Sequence, residues 1–298
     1  MRVTTNNLSE NLVRQIQQLG AQQAKLQTQV ATGQRIFQPE DDPTAVGRVL
    51  DLESEQREIE QYLKNADRAL ELSQASFAGL QQIKKISDRA SEIGTLGAGA
   101  IGAEASRAYA SEVNELLEQT LQFANTKFRN DYVFAGTAVD AAPYTETRDV
   151  DGRITGVAFA GNASQAAIQL SETASIAPGT TNDTNLGLRD FLNQLVALRD
   201  ALTNNDGPAL TAAQTGLAAS EDLLVSSLAE HGGVQTRIEA NRAQQLDRAD
   251  NLERLVSAET DADLPTTIVK LTQSQTAYQA ALQSAANIMR LSLLDYIR

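Results

Sequence analysis

Apolar residues recur every seven positions in the N-terminal segment of the chain. Leu12, Leu19 and Leu26 form one row, and a second row follows four residues after each of its members. A repeat of this kind is typical of helices that pair through a narrow apolar seam. The complete predicted seam consists of Leu12, Ile16, Leu19, Gln23, Leu26 and Val30.

The C-terminal segment has a similar repeat. One of its rows contains Ile268, Gln275, Leu282, Met289 and Tyr296, and the other contains Leu271, Tyr278, Ala285 and Ser292. Because the two seams match, the simplest way to bury them is against each other, which brings the two ends of the chain together. Each seam contains one glutamine, Gln23 or Gln275, and we expect this polar residue to set the axial register at some cost in stability.

The pattern predicts a bend after the first helix. Asp42 is suited to cap the next helix, Pro43 fits its first position, and Asp41 suits the positive end of its dipole. Helical spacing of apolar residues then covers 44–93, 104–127, 188–202 and 210–256, with a possible weak point at Gly232-Gly233.

The stretch 131–187 has a different character. Asp131–Phe134 is rich in β-forming residues, Asp151-Gly152 is a strong hairpin turn, and the alternating segment Arg153–Phe159 follows it. Ile168–Leu170 is a further candidate strand, and 180–187 is predicted to be a polar loop. The segment therefore predicts a small β insert between two sets of three helices.

These patterns predict a mainly α fold, an elongated antiparallel helical bundle or coiled coil with paired termini and a small β-hairpin insert. The predicted domains are a terminal coiled-coil assembly domain (1–42 and 258–298), a helical bundle domain (43–130 and 188–257) and the insert (131–187). A narrow seam gains too little by burial to offset the loss of chain entropy. We therefore expect 1–40 and 260–298 to be poorly ordered until neighbouring chains cover them; the alternative is an ordinary bundle with stably docked ends.

Composition and charge exclude several classes of function. The 298 residues include 38 acidic and 25 basic side chains, so the net charge of −13 disfavours generic binding to nucleic acid or to anionic membranes. With no Cys and a single His, the chain lacks thiolate metal cages, a cysteine nucleophile and any site that needs two imidazoles. Neither a signal-peptide segment nor an apolar run of about 18 residues is present, so export would need another route.

Four local patterns partly match chemical sites, and each has a better structural interpretation. Gly97–Gly102 matches a dinucleotide-binding fingerprint, but no strand precedes it. His231 is interpreted as a helix-surface residue, the acidic run Glu53–Glu60 as a solvated, salt-bridged helix face, and Asp149–Gly152 as a hairpin turn rather than the start of a calcium loop. We therefore predict no enzymatic activity, no cofactor and no metal.

Four stretches of the chain resemble the bacterial flagellin superfamily. They are Ala31–Ile36 with Pro39–Pro43, Asn125–Lys127 with Asp131–Thr137, Gly233–Arg237, and Leu291–Ile297. Asp-Asp-Pro at 41–43, where filament flagellins usually continue Asp-Asp-Ala, and the C-terminal tail are more similar to the hook-filament junction branch of that superfamily. The middle of the chain is shorter than in many relatives.

The resemblance implies a structural adapter of the flagellum that forms a ring or layer between the preceding hook-associated protein and flagellin. It implies export of the unfolded chain through the flagellar secretion channel without a cleaved signal, with the help of an export chaperone, to an extracellular location. Its partners would be other copies of itself, those two flagellar proteins and the chaperone, with no nucleic acid and no membrane.

The same resemblance implies roles for particular residues. The predicted bend between the terminal coil and the bundle consists of Asp41, Asp42 and Pro43. The predicted assembly interface consists of Leu12, Ile16, Leu19, Gln23, Leu26, Val30, Ile268, Leu271, Gln275, Tyr278, Leu282 and Met289.

Two alternative functions remain open at this point. One is a filament-forming flagellin with a minimal outer domain, and the other is a helical surface adhesin or binding module. A zinc peptidase embedded in the variable region, as in some flagellin relatives, is untenable with a single histidine.

Overall fold

The computed structural model describes the backbone of residues 2–99 and 102–296, and the side chains of 10–99 and 102–287. Within these residues the chain forms six helices and three pairs of short strands, which confirms the predicted mainly α fold with a small β insert. The helices are α1 (Arg2–Thr32), α2 (Pro43–Gly97), α3 (Ala103–Ala124), α4 (Asn182–Asn204), α5 (Gly207–Thr260) and α6 (Leu264–Tyr296).

Backbone contacts divide the chain into two compact units. The first comprises residues 1–58 and 248–298, and the second comprises 59–247. The predicted boundaries at 42/43, 130/131, 187/188 and 257/258 stay a prediction.

The second unit contains the main hydrophobic core, to which the C-terminal part of α2, the N-terminal part of α5, α3, α4 and one hairpin contribute. α4 is well delimited, because the Thr181 side chain accepts a hydrogen bond from the Thr184 backbone N–H (3.2 Å) and Asn205 ends the helix in a left-handed conformation. The largest side chains of this core that are almost fully buried are Tyr144, Phe134, Phe191, Leu80, Ile83, Ile93, Leu117, Ile154, Leu188, Leu192 and Leu195.

The insert and the residues just before it contain three two-stranded antiparallel pairs. They are β1 (Lys127–Phe128) with β2 (Asp131–Tyr132), β3 (Tyr144–Arg148) with β4 (Ile154–Phe159), and β5 (Ile168–Gln169) with β6 (Ser175–Ile176). The hairpin predicted at Asp151-Gly152 is confirmed. Asp149 Oδ1 accepts hydrogen bonds from the backbone N–H groups of Asp151 and Arg153, and Gly152 has a positive φ of 81°.

Two local predictions were wrong. The polar stretch 180–187 is a loop only as far as Thr181, because that residue caps α4 and the next polar residues form its first turn. The suspected weak point at Gly232-Gly233 lies inside the uninterrupted helix α5.

Candidate assembly interface

The first and last helices pack against each other in antiparallel orientation, as the matching seams predicted. A Cβ atom at Gly20, in the middle of α1, would lie 3.6 Å from the Tyr278 ring in the middle of α6. At the end of the pair Gln34 forms an antiparallel bridge with Asp261, and the Ala262 N–H donates to the Gly33 carbonyl at 2.7 Å.

The seam between α1 and α6 is shallow. Among the described side chains of these two helices, only four are buried, and Leu26 is the single large apolar one of them. The other three are small: Thr267, Ser274 and Ala285. The remaining predicted seam residues that lie in the pair are half-buried, namely Leu12, Ile16, Leu19, Gln23, Val30, Leu271, Gln275 and Tyr278.

Two predicted seam residues of α6 are not covered by α1. Ile268 and Leu282, predicted to be covered by α1, are 48% and 43% exposed. The row that accompanies Leu271 and Tyr278 instead contains Thr267, Ser274 and Ala281, one residue earlier in each heptad. These small side chains let the two helices approach more closely than Ile and Leu would. The Met289 side chain lies outside the described residues.

The bend is held by two carboxylates. Asp41 Oδ1 pairs with Lys25 Nζ at 2.6 Å, and its Oδ2 accepts from the backbone N–H groups of Phe37 (3.1 Å) and Gln38 (3.0 Å). The Lys25 hydrogen bond, with help from these two amides, lowers the pKa of Asp41 to about 2. The carboxylate is therefore ionised at neutral pH and fixes the turn that precedes α2.

Asp42 confirms the predicted helix cap. Its Oδ1 accepts from the Ala45 N–H at 3.1 Å, and Pro43 is the first residue of α2. That hydrogen bond, together with Arg35 Nη1 at 3.2 Å from Oδ2, lowers the pKa of the Asp42 carboxyl.

A small ion cluster joins this bend to the end of α5. The Arg48 guanidinium donates to both Glu259 carboxylate oxygens, at 3.0 and 2.8 Å, and Arg35 Nη2 donates to the Glu259 backbone carbonyl at 2.7 Å. The Arg48 pair lowers the pKa of the Glu259 carboxyl. Asp41 and Asp42, two of the three residues predicted as a bend, are therefore held by hydrogen bonds and ion pairs within the first unit, and Pro43 begins α2.

Comparisons with known proteins agree on one family. Residues 3–139 match the bacterial flagellin N-terminal helical region. Flagellar hook-associated protein 3 of Escherichia coli K12 is 26% identical over 324 residues, which cover 99% of each chain, and its counterpart in Salmonella typhimurium is 24% identical over the full length of both. These matches support the predicted resemblance to the hook-filament junction branch of the flagellin superfamily, and with it a structural role in the bacterial flagellum.

Solved structures support the same fold. A putative flagellar hook-associated protein from Vibrio parahaemolyticus superposes with a TM-score of 0.67 over 74% of this chain and all of its own, at 17% identity. A FlgL from Bacillus cereus gives a TM-score of 0.60 over 70% of this chain and 99% of its own, at 18% identity.

The stretch that resembled junction proteins after the third helix closes one end of the insert. The Asn125 side chain donates to the Tyr144 carbonyl (2.9 Å) and accepts from the Tyr144 N–H (3.1 Å). Gly136, with a φ of +68°, lies against Asn162 and Ser164, where an added Cβ would be 2.4 Å from the Asn162 carbonyl oxygen. The motif therefore orders the β insert. The tail motif Leu291–Ile297 lies outside the described side chains.

The predictions about other chemical sites had mixed outcomes. His231 is not on the surface: it is 4% exposed, lies 3.3 Å from Ser73 Oγ through Nδ1, and burial lowers its pKa. The acidic run on α2 is salt-bridged as expected, with Glu53 near Arg57 and Glu55 paired with Arg248.

Two surveys of the described residues gave no further site. No three His, Asp or Glu side chains in that part of the chain are grouped so that they could hold a metal ion. No helix there has the length and apolarity needed to cross a membrane.

Sequence reasoning missed two surface features of the first unit. Phe37, in the bend, is 59% exposed, and a groove of about 290 Å³ opens along α1 beside Ala281 of α6. Ala281 is a small residue at a position of α6 that faces α1, and a small residue there leaves room for a groove. The sequence alone does not show this, because it does not show which face of α6 meets α1.

Proposed function

We propose that this chain assembles as a layer of identical copies between the preceding hook-associated protein and the first flagellin layer. The role is structural and non-enzymatic: the chain adapts one protein lattice to the next. The terminal pair makes the contacts between copies, and the bend at Asp41, Asp42 and Pro43 sets the direction in which α2 leaves that pair.

One observation carries this proposal. The α1–α6 pair buries one large apolar side chain among those described, while five others on the same two helices remain at least 41% exposed. These five are Val13, Leu264, Ile268, Val269 and Leu282. Exposed apolar side chains on a pair with a shallow seam are typical of a surface that a partner covers. The predicted interface residues Ile268 and Leu282 fit this role better than the intramolecular one first assigned to them.

The same feature suits export. A pair with few buried contacts unfolds at low cost, so the chain can pass through a narrow secretion channel and fold at its destination. We propose that an export chaperone covers the exposed terminal residues before secretion. The final location is then extracellular, in the flagellum.

Deletion of the gene in its host tests this function. We expect cells with hooks but no filaments, together with flagellin shed into the medium, and recovery of filaments when the wild-type gene is restored. Normal filaments in the deletion strain would overturn the junction role. Purified protein that polymerises alone into long filaments would instead indicate a filament flagellin.

A substitution on the surface of the insert provides a matched comparison. Val150→Asp changes a fully exposed residue of the hairpin turn, leaves the core residues Phe134, Tyr144 and Ile154 in place, and tests whether the insert has a separate binding role. Loss of surface binding by cells that keep normal filaments would favour an adhesin, whereas the junction proposal expects any defect to appear in filament attachment.

A further inference from the structure

The exposed side chain of Phe37, called the knob below, lies on a hydrogen-bonded turn that leads into the bend. It is the single aromatic residue among the large apolar side chains that are strongly exposed in the described part of the chain. Its backbone N–H and that of Gln38 both donate to Asp41, and the Asp41 N–H donates back to the Gln38 carbonyl at 2.9 Å. Because the turn is already fixed, docking the Phe37 ring costs little additional ordering.

A groove on the α1–α6 pair is large enough for such a side chain. Its volume is about 290 Å³, and it lies on α1 where α6 contributes only a methyl group. The apolar lining consists of Leu12, Ile16, Leu19 and Ala281, and the rim consists of the amides of Gln15, Gln18 and Gln22. The groove thus offers an apolar floor to a ring and hydrogen-bonding groups to the backbone of a turn.

The knob and the groove of one copy cannot meet. From Leu19 to the end of α1 at Thr32 the helix rises by about 20 Å, at ~1.5 Å per residue. The bend that carries Phe37 is tied to α5 through Arg35, and Gly33 is tied to Ala262, so it cannot fold back along α1. A Phe37 ring in this groove therefore comes from another molecule.

Charge favours the same match. Glu40, at the tip of the turn, and Arg14, beside the groove, are both exposed. Neither has an ion-pair partner among the side chains that the structure describes, and Arg14 donates only to Asn11 at 2.6 Å. A second copy of the chain supplies both the apolar and the charged complement.

We propose that the Phe37 turn of one copy inserts its ring into the groove lined by Leu12, Ile16, Leu19 and Ala281 of a second copy, with Glu40 beside Arg14 of that copy. Knob and groove are different patches, so the contact is heterologous and repeats from copy to copy. This inference rests on the proposed layer of identical copies and specifies one of its contacts.

Cysteine crosslinking tests the contact directly, because the natural chain contains no cysteine. A chain carrying Gln38→Cys and Gln18→Cys, which keeps the Phe37 ring, is expressed in host cells that lack the native gene, and isolated flagella are treated with a short bismaleimide. We expect a ladder of crosslinked multimers. The control carries Gln38→Cys with Val225→Cys, a 50% exposed residue of the second unit, and we expect no ladder. Assembled flagella without a ladder, or an equal ladder in the control, would overturn the inference.

Competition for assembly provides a second test. Each variant is coexpressed with the wild-type chain, and its share in purified flagella is measured. Phe37→Ala is expected to lower incorporation by about tenfold or more, the factor that follows from losing a buried aromatic ring. Val225→Ala should compete equally.

Charge reversal separates a specific contact from a folding defect. In cells that make no wild-type chain, Glu40→Arg should assemble poorly at the junction, and a chain that also carries Arg14→Glu should recover, because each copy then meets only copies with the same swapped charges. If wild-type protein assembles at the junction and Phe37→Ala competes equally, this inference fails while the proposed function stands. If the wild-type chain is not required at the junction, the proposed function itself fails.

Discussion

Replacement of Gly136 by Ala tests how the family motif orders the insert. Gly136 has a φ of +68°, and an added Cβ would lie 2.4 Å from the Asn162 carbonyl oxygen and 2.5 Å from Asn162 Oδ1. That Oδ1 accepts hydrogen bonds from the backbone N–H groups of Thr137 (2.9 Å) and Ser164 (3.2 Å). The new methyl group therefore forces Asn162 to move and disrupts both hydrogen bonds.

The expected magnitude has two parts. A left-handed conformation costs an Ala residue about 1–2 kcal/mol. Loss of two hydrogen bonds adds about 1–3 kcal/mol, at ~0.5–1.5 kcal/mol each. We therefore expect Gly136→Ala to lower the free energy of unfolding by about 2–5 kcal/mol.

Two other glycines separate these parts in urea unfolding followed by far-UV circular dichroism. Gly152 has a φ of +81° and no atom within 4 Å of an added Cβ, so Gly152→Ala should cost only the conformational part, about 1–2 kcal/mol. Gly179 has neither constraint, so Gly179→Ala should be close to neutral. Equal effects of Gly136→Ala and Gly152→Ala would refute the role assigned to Asn162.

Three further predictions concern charge and the terminal seam. Burial lowers the pKa of His231 below its ordinary 6.5, so the unfolded state binds a proton first as the pH falls. The free energy of unfolding should be highest above about pH 7 and should decrease below pH 6.5 by up to about 1.4 kcal/mol per pH unit until the folded-state pKa is reached. His231→Gln should remove this slope in acid unfolding, and an unchanged slope would contradict the burial argument. A double-mutant cycle on the exposed pair of Arg48 and Glu259 should give a small coupling that decreases with salt, and a large coupling that does not depend on salt would contradict its solvent exposure. Gln23→Leu or Gln275→Leu should raise terminal helicity by circular dichroism and promote off-pathway aggregation in light scattering, whereas unchanged assembly would argue against a register role.

Local features of the fold were predictable from the sequence. The cap at Asp42, the helix start at Pro43 and the hairpin at Asp151-Gly152 each depend on a few neighbouring residues whose conformational preferences are strong. On α1, the predicted seam residue Leu26 is buried in the pair with α6.

Features that depend on distant partners were not predictable. On α6, the row that begins at Ile268 and the row that begins at Thr267 both alternate with the Leu271 row at intervals of three and four residues. The Ile268 row is more apolar, so the pattern favoured it over the row that α1 covers. Close approach of α1 decides between them, and this cannot be read from α6 alone. His231 is likewise buried beside Ser73, which lies 158 residues away in the sequence. The residues around His231 therefore do not predict its burial.

Hydrogen exchange tests most directly whether the terminal pair depends on neighbouring copies. Backbone amides of residues 10–32 and 264–287 would be compared with those of α4 in dilute monomer and again in assembled flagella. The shallow seam predicts fast exchange of both terminal stretches in the monomer, against strong protection of α4, and protection of all three after assembly. Terminal amides that are as strongly protected as those of α4 in the monomer would contradict the account.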